Sequence, residues 1–197
     1  QSLFAKQLPI MRKCIDELHA QFTRQGFAGI VIQAGCGDGK TVMGIFIATV
    51  VAPVIFGALR LEPETIADAN RMLATMPSAS SPTQTTTTTT TTRRRSLPMP
   101  GAVLVLINKG FLANQWRKRI LTACPAARIG LIQQKVHDVE GCHFVLGMIQ
   151  TMWSKTYTPA TFAGFQTVIV DEAHCICSLK YFRALRQIVA PFMIALS

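Results

Sequence analysis

The stretch Ala34-Gly35-Cys36-Gly37-Asp38-Gly39-Lys40-Thr41 constrains this chain more than any other. It follows an apolar run, Gly29 to Ile32, that reads as a short buried strand. It precedes Val42 to Val51, which has the composition of a packed helix. Strand, glycine-rich turn, Lys-Thr and helix together are the context in which such a loop cradles phosphates. Glycines at 35, 37 and 39 let the backbone wrap closely round a polyphosphate, because a side chain there would collide with it. The N–H groups of the turn and the helix N-terminus add partial positive charge. Lys40 would reach the β- and γ-phosphates, and the Thr41 hydroxyl would sit on Mg²⁺. The strict pattern has Gly where this chain has Ala34. The alternative is a glycine-rich turn followed by a chance Lys-Thr, and a second motif downstream argues against it.

That second motif is Asp171-Glu172-Ala173-His174, which follows the apolar run Thr167 to Val170 directly. Hydrolysis of a phosphoanhydride needs metal neutralisation, a cradle and a positioned water. Asp171 suits a carboxylate that meets Mg²⁺ directly or through one of its waters, and Glu172 suits the group that orients or deprotonates water. His174 suits a coupler between nucleotide state and neighbouring elements. Alone, an Asp-Glu pair after a strand has a helix cap as its alternative reading; with a phosphate loop in the same domain it reads as the other half of a site.

Between the two motifs the chain alternates. Residues 1–25 read as a helix with Ile10, Cys14, Ile15, Leu18 and Phe22 at helical spacing. Leu3, Phe4 and Gln7 precede that stripe, and Gln7 has an amide able to read an adenine edge, an ordinary surface Gln being the alternative. Val103–Ile107, 128–132, 144–147, 167–170 and Phe192–Leu196 read as strands, and Phe111–Leu121 and 179–189 as helices. A short helix is expected within residues 60–77. Residues 78–100, with eight threonines at 85–92 and Arg93-Arg94-Arg95, form a low-complexity surface insertion unable to bury a core. Alternating strands and helices imply an α/β fold, a mainly parallel sheet with helices on both faces. Ligands bind such sheets beyond the carboxyl ends of the strands, where both motifs fall.

Composition narrows the class. The 197 residues suit one domain. A net charge of +10 fits a polyanionic partner. Six cysteines without scaffold spacing point to a reducing, intracellular setting. Cys175-Ile176-Cys177, even with His174 and Cys142-His143, lacks the spacing of a structural zinc site. The apolar run from Val42 to Leu59 meets the crude length of a membrane span, but Lys40 abuts it and Pro53 interrupts it. A helix behind a phosphate loop must in any case be apolar to lie on its sheet, so no membrane partner is expected.

These residues resemble superfamily 2 helicases of the DExH/DEAH type, ATPases with RecA-like P-loop domains. Ala34-x-x-Gly37-x-Gly39-Lys40-Thr41 matches that superfamily's variant of the phosphate loop, and Asp171-Glu172-Ala173-His174 matches its second motif letter for letter. Val103 to Lys109 with Asn114-Gln115-Trp116 looks like motif Ia of the branch containing type III restriction subunits, excision-repair-type helicases and large-DNA-virus helicases. Gly147-Met148-Ile149-Gln150-Thr151 looks like its next nucleic-acid motif. Ala195-Leu196-Ser197 looks like the opening of the Ser-Ala-Thr motif, so residues 1–197 read as the first RecA-like domain, cut within that motif.

The resemblance implies that Ala34 to Thr41, Asp171 and Glu172 bind and hydrolyse Mg-ATP. It places Gln7 near adenine, though the family's usual preceding Arg and aromatic appear here as Phe4 and Lys6. Lys109, Gln115, Gln150 and Thr151 would hold a strand's backbone, DNA being favoured over RNA, and such contacts position without reading sequence. Trp116 either stacks on a base or, as its apolar face suggests, packs in the core. A second RecA-like domain, supplying arginine to the γ-phosphate, is expected outside these residues, so this segment alone should bind nucleotide weakly and not unwind. The setting would be a nuclear or a viral or cytoplasmic one. The rivals to an unwinding helicase are a duplex translocase that remodels without unwinding, and a degenerate nucleotide-binding scaffold.

Overall fold

Ala102–Ile107 is apolar at every position and forms β2, the middle strand of a seven-stranded sheet in a computed structural model. All six residues are buried, because a parallel sheet covered on both faces has no solvent side. The structure describes residues 3–35, 39–51 and 98–197. The expected helix within 60–77 and nearly all of the insertion at 78–100 lie outside the described residues.

In chain order the elements are α1 (Leu3–Gln25), β1 (Ala28–Ile32), α2 (Lys40–Val51), β2, α3 (Gly110–Ala123), β3 (Ile129–Gln133), β4 (Val136–Asp138), β5 (Phe144–Met148), α4 (Ile149–Ser154), β6 (Phe165–Val170), α5 (Leu179–Leu185) and β7 (Phe192–Leu196). The sheet order is β1-β7-β6-β2-β5-β3-β4. Every pairing is parallel except β3 with β4, a hairpin in which Gln133 faces Val136.

Alternation along β2 separates two cores. Val103, Val105 and Ile107 join the cluster under α1, α2 and α3, with Met11, Ile47, Trp116 and Ile120. Ala102, Leu104 and Leu106 join the cluster under α4 and α5, with Ile149, Met152, Phe162 and Ala184. The expected fold class, a mainly parallel sheet with helices on both faces, is therefore the observed one.

Three local expectations shift. The buried stripe of α1 is Met11, Ile15 and Leu18, and Ile10 is exposed. Phe22 lies half out but sets its ring 4.9 Å from that of Phe192. The helix at α5 stops at Leu185, not 189. There the Gln187 side chain accepts from the Tyr157 N–H at 2.8 Å and donates to the Met152 carbonyl at 2.9 Å, which ties the chain into a turn.

The hairpin side of the sheet makes a sharp demand at Gly130. A Cβ there would lie 2.0 Å from the Asp138 carbonyl oxygen and 2.8 Å from Cys142 Sγ. Backbone oxygen cannot swing aside as a side-chain tip can. Gly130→Ala is expected to cost about 2–3 kcal/mol, read as a lowered denaturant midpoint with an unchanged slope.

Candidate active site

The topology brings the two motifs to one edge. β7 lies between β1 and β6, and the three run parallel, so the loops after β1 and β6 leave from the same end. The Ser197 N–H donates to the Ile32 carbonyl at 2.9 Å, and the Ala34 N–H donates to the Ser197 carbonyl at 3.0 Å. Ala195-Leu196-Ser197 thus stands between the glycine loop and Asp171-Glu172.

Of the loop, Ala34, Gly35 and Gly39 to Thr41 are described; Cys36, Gly37 and Asp38 lie outside the described residues. Gly39 has φ 75°, a left-handed conformation that glycine takes without the cost a Cβ brings. Its carbonyl accepts from Val42 and Met43 at 2.9 and 3.0 Å, which starts α2. Lys40 and Thr41 occupy the first turn, with Thr41 buried. α2 lies close on the sheet: a Cβ on Gly44 would stand 3.1 Å from Leu196 Cδ1.

Asp171 continues β6, its N–H donating to the Leu106 carbonyl at 3.0 Å. Its Oδ2 accepts the Trp116 indole N–H at 2.7 Å, and its Oδ1 accepts the Glu172 N–H at 3.1 Å. Burial pushes the Asp171 carboxyl above its ordinary range. The Trp116 bond pulls it down, the Glu172 charge raises it, and the Glu172 N–H and the Lys40 charge lower it further.

One helix touches both halves. Trp116 of α3 holds Asp171, and Arg119 donates to the Thr41 hydroxyl. Positions three apart on a helix are neighbours on one face, so the Thr41 hydroxyl and the Asp171 carboxylate are each bonded to a side chain from the same turn of α3. A hydroxyl and a carboxylate are the hard oxygen donors that Mg²⁺ takes, and these two residues fit it. Among the described residues no group of three or more His, Cys, Asp or Glu could hold a metal ion.

Glu172 departs from the strand with φ 52° and ψ 52°. The left-handed region costs a non-glycine residue about 1–3 kcal/mol, and such outliers cluster at functional sites. The turn throws Glu172 off the sheet edge, half-exposed, with Oε2 3.4 Å from Nδ1 of the exposed His174. The Glu172 carbonyl accepts from Cys175 at 2.9 Å and begins a 3₁₀ turn, Ala173–Cys177.

The second group of expected residues gathers at the carboxyl ends of the adjacent strands β2 and β5. Gln150 donates to the Asn108 carbonyl. Lys109 is exposed, its Nζ 6.0 Å from the ring centre of the exposed Phe111. Gln115 is exposed on α3. Thr151 is buried, and its hydroxyl accepts the Gln134 N–H at 2.9 Å, bracing the β3–β4 turn. Gln150 is the residue this loop offers outward. Asn108, which sequence reasoning passed over, donates from Nδ2 to Cys175 Sγ at 3.6 Å. It thereby joins the Lys109 end of β2 to the turn that carries His174.

Gln7 is not an ordinary surface residue: it lies within α1 and is 5% exposed. Trp116 is 1% exposed, a core residue and not a stacking platform. Arg119 was missed because nothing near it in sequence signals a partner 78 residues away. Among the described residues no helix is long and apolar enough to cross a membrane.

Residues 65–197 match the family model described as type III restriction enzyme, res subunit; the match begins after the glycine loop and includes Asp171-Glu172. A protein of Acanthamoeba polyphaga mimivirus whose name assigns it as an ATP-dependent RNA helicase is 27% identical over 94 residues, 48% of this chain and 18% of its own length. A protein of Invertebrate iridescent virus 6 named as a helicase is 29% identical over 100 residues, 48% of this chain and 22% of its own. The chain thus spans about a fifth of the length of these curated relatives. Among solved structures, the SWI2/SNF2 ATPase core of Sulfolobus solfataricus in complex with dsDNA superposes with a TM-score of 0.56 at 16% identity. That match covers 96% of this chain and 31% of the other. The ATPase core domain of the same organism gives a TM-score of 0.54 at 18% identity, covering 95% and 30%. These two likenesses are of fold.

Proposed function

This chain belongs to the family of the type III restriction enzyme, res subunit, and from that premise we propose that it is the ATP-binding half of a superfamily 2 helicase or translocase. In this reading it couples Mg-ATP hydrolysis to movement on nucleic acid. The observation that carries the reading is the convergence of Lys40, Thr41, Asp171 and Glu172 at one sheet edge, with Thr41 and Asp171 bonded to neighbouring positions of α3.

Each residue then has a task. The backbone of the loop and the Lys40 ammonium hold the β- and γ-phosphates. Thr41 and Asp171 would hold Mg²⁺, which when bound supplies neutralisation of phosphate charge. Glu172, set off the strand end by its left-handed turn, orients the attacking water and takes its proton. His174 shares a contact with Glu172 and sits in the turn that Asn108 ties to Lys109, which suits a coupler between nucleotide and track.

Lys109, Gln115 and Gln150 hold a nucleic-acid backbone, with Thr151 shaping the loop from within. The net charge of +10 supports a polyanionic track, and DNA is the proposed one on the sequence resemblance. Residues 1–197 are proposed as the first of two RecA-like domains, the second completing the γ-phosphate site, in an intracellular protein.

The test is ATP hydrolysis by the full-length protein with single-stranded DNA, duplex DNA and RNA, beside Lys40→Ala. Stimulation by one polymer is expected, and Lys40→Ala should lower the rate by about 100-fold or more, the scale of losing a charged phosphate contact. A strand-displacement assay then separates unwinding from duplex translocation. Nucleotide binding without hydrolysis under every condition would replace the motor with a nucleotide-binding scaffold.

A further inference from the structure

We infer that Trp116 is a positioning residue for Asp171: its indole N–H fixes the carboxylate so that a lone pair stays aimed at the magnesium of the bound nucleotide. The inference rests on the nucleotide-site reading above and gives a task to Trp116, to which that reading assigns none.

The geometry is specific. Trp116 is fully enclosed in the core, and an indole nitrogen can only donate. A buried indole must find an acceptor. The one it finds is Asp171 Oδ2 at 2.7 Å, 55 residues along the chain. The other oxygen, Oδ1, accepts the Glu172 N–H at 3.1 Å. With one donor on each oxygen the carboxylate cannot rotate freely. A carboxylate has about four acceptor positions, so the two that remain are held in fixed directions.

Trp116 is itself held. It sits mid-helix in α3 and belongs to the buried cluster that also holds Met43, Val105, Ile107, Ile120 and Ile169. One turn further on, Arg119 donates to the Thr41 hydroxyl. A hydroxyl has one hydrogen and two lone pairs, so with Arg119 on one lone pair the other stays free. A single rigid helix thus reaches both residues proposed to hold Mg²⁺. Partners of metal ligands that set ligand orientation typically matter by about 10- to 100-fold in metal affinity.

The test uses Trp116→Phe in the full chain, which keeps an apolar ring and removes the N–H. Binding of an N-methylanthraniloyl adenosine nucleotide is titrated with Mg²⁺ and, separately, measured in EDTA. The Mg²⁺ concentration for half-saturation should rise about 10-fold, with affinity in EDTA within about twofold of wild type. An equal loss of affinity in EDTA would make Trp116 merely structural and overturn the inference. So would an unchanged Mg²⁺ requirement in a folded variant. A second protein keeps Trp116 in place: Trp153→Phe leaves it as the one tryptophan of the 197 residues. Its emission should change on adding Mg²⁺ to the nucleotide complex and not on adding nucleotide in EDTA; no response to Mg²⁺ overturns the inference. Failure of wild type to bind nucleotide at all would instead sink the nucleotide-site reading itself.

Discussion

Glu172→Gln is expected to cut ATP hydrolysis by about 10²–10⁴-fold, the scale of a positioned general base, while nucleotide affinity stays within a few-fold. Glutamine matches glutamate in size and carries the same backbone. The left-handed turn at φ 52° therefore costs both residues alike, and the fold should not respond. What is lost is the proton acceptor. The contact with His174 at 3.4 Å also changes, since the substituted side chain is uncharged. Single-turnover hydrolysis beside equilibrium ATP binding separates the two effects. A variant retaining more than about a tenth of the wild-type single-turnover rate would place the base elsewhere. Weakened binding in step with the rate would instead mean that Glu172 holds the nucleotide.

The parts of this site that the sequence makes legible are those with a local signature. A glycine run after an apolar strand and before an apolar helix leaves few alternatives, and Thr-Val-Ile-Val running into Asp171-Glu172 marks a strand end. Parallel order then puts both at one edge. Burial of β2 at all six positions is likewise written in Ala102–Ile107. What escapes is whatever depends on distant partners. Trp116 reads correctly as a core residue, yet its bond to Asp171 has no local sign. The role of Thr151 as a brace under the hairpin follows from Gln134, a residue with φ 51°. That hairpin was missed because its turn is Gln134-Lys135, without the Asn-Gly or Asp-Gly that announces a two-residue connection. The burial of Gln7 likewise has no local sign, since it follows from how α1 lies on the sheet.

Asp171→Asn is expected to act in two opposite directions: hydrolysis falls by about 100-fold or more, as removal of a metal-side carboxylate does, and thermal stability in EDTA rises. The stability gain follows from the sign of the shift. Burial raises the folded-state carboxyl above its ordinary value of 3.8, so the folded protein holds this proton more tightly than the unfolded chain does. Stability then falls as pH rises through the interval from 3.8 to the folded value, and stays lowered above it. Asparagine carries no charge and escapes that loss. Its carbonyl can still accept from Trp116, but its amide meets the Glu172 N–H donor to donor, which offsets part of the gain. Below pH 3.8 the wild-type carboxyl is protonated and faces the same crowding of donors, so the two proteins should converge there. Melting temperatures measured from acid to neutral pH should therefore separate upward through the window, with the variant above. A variant melting below wild type at neutral pH would show that the two hydrogen bonds to the ionised carboxylate outweigh the cost of burying it.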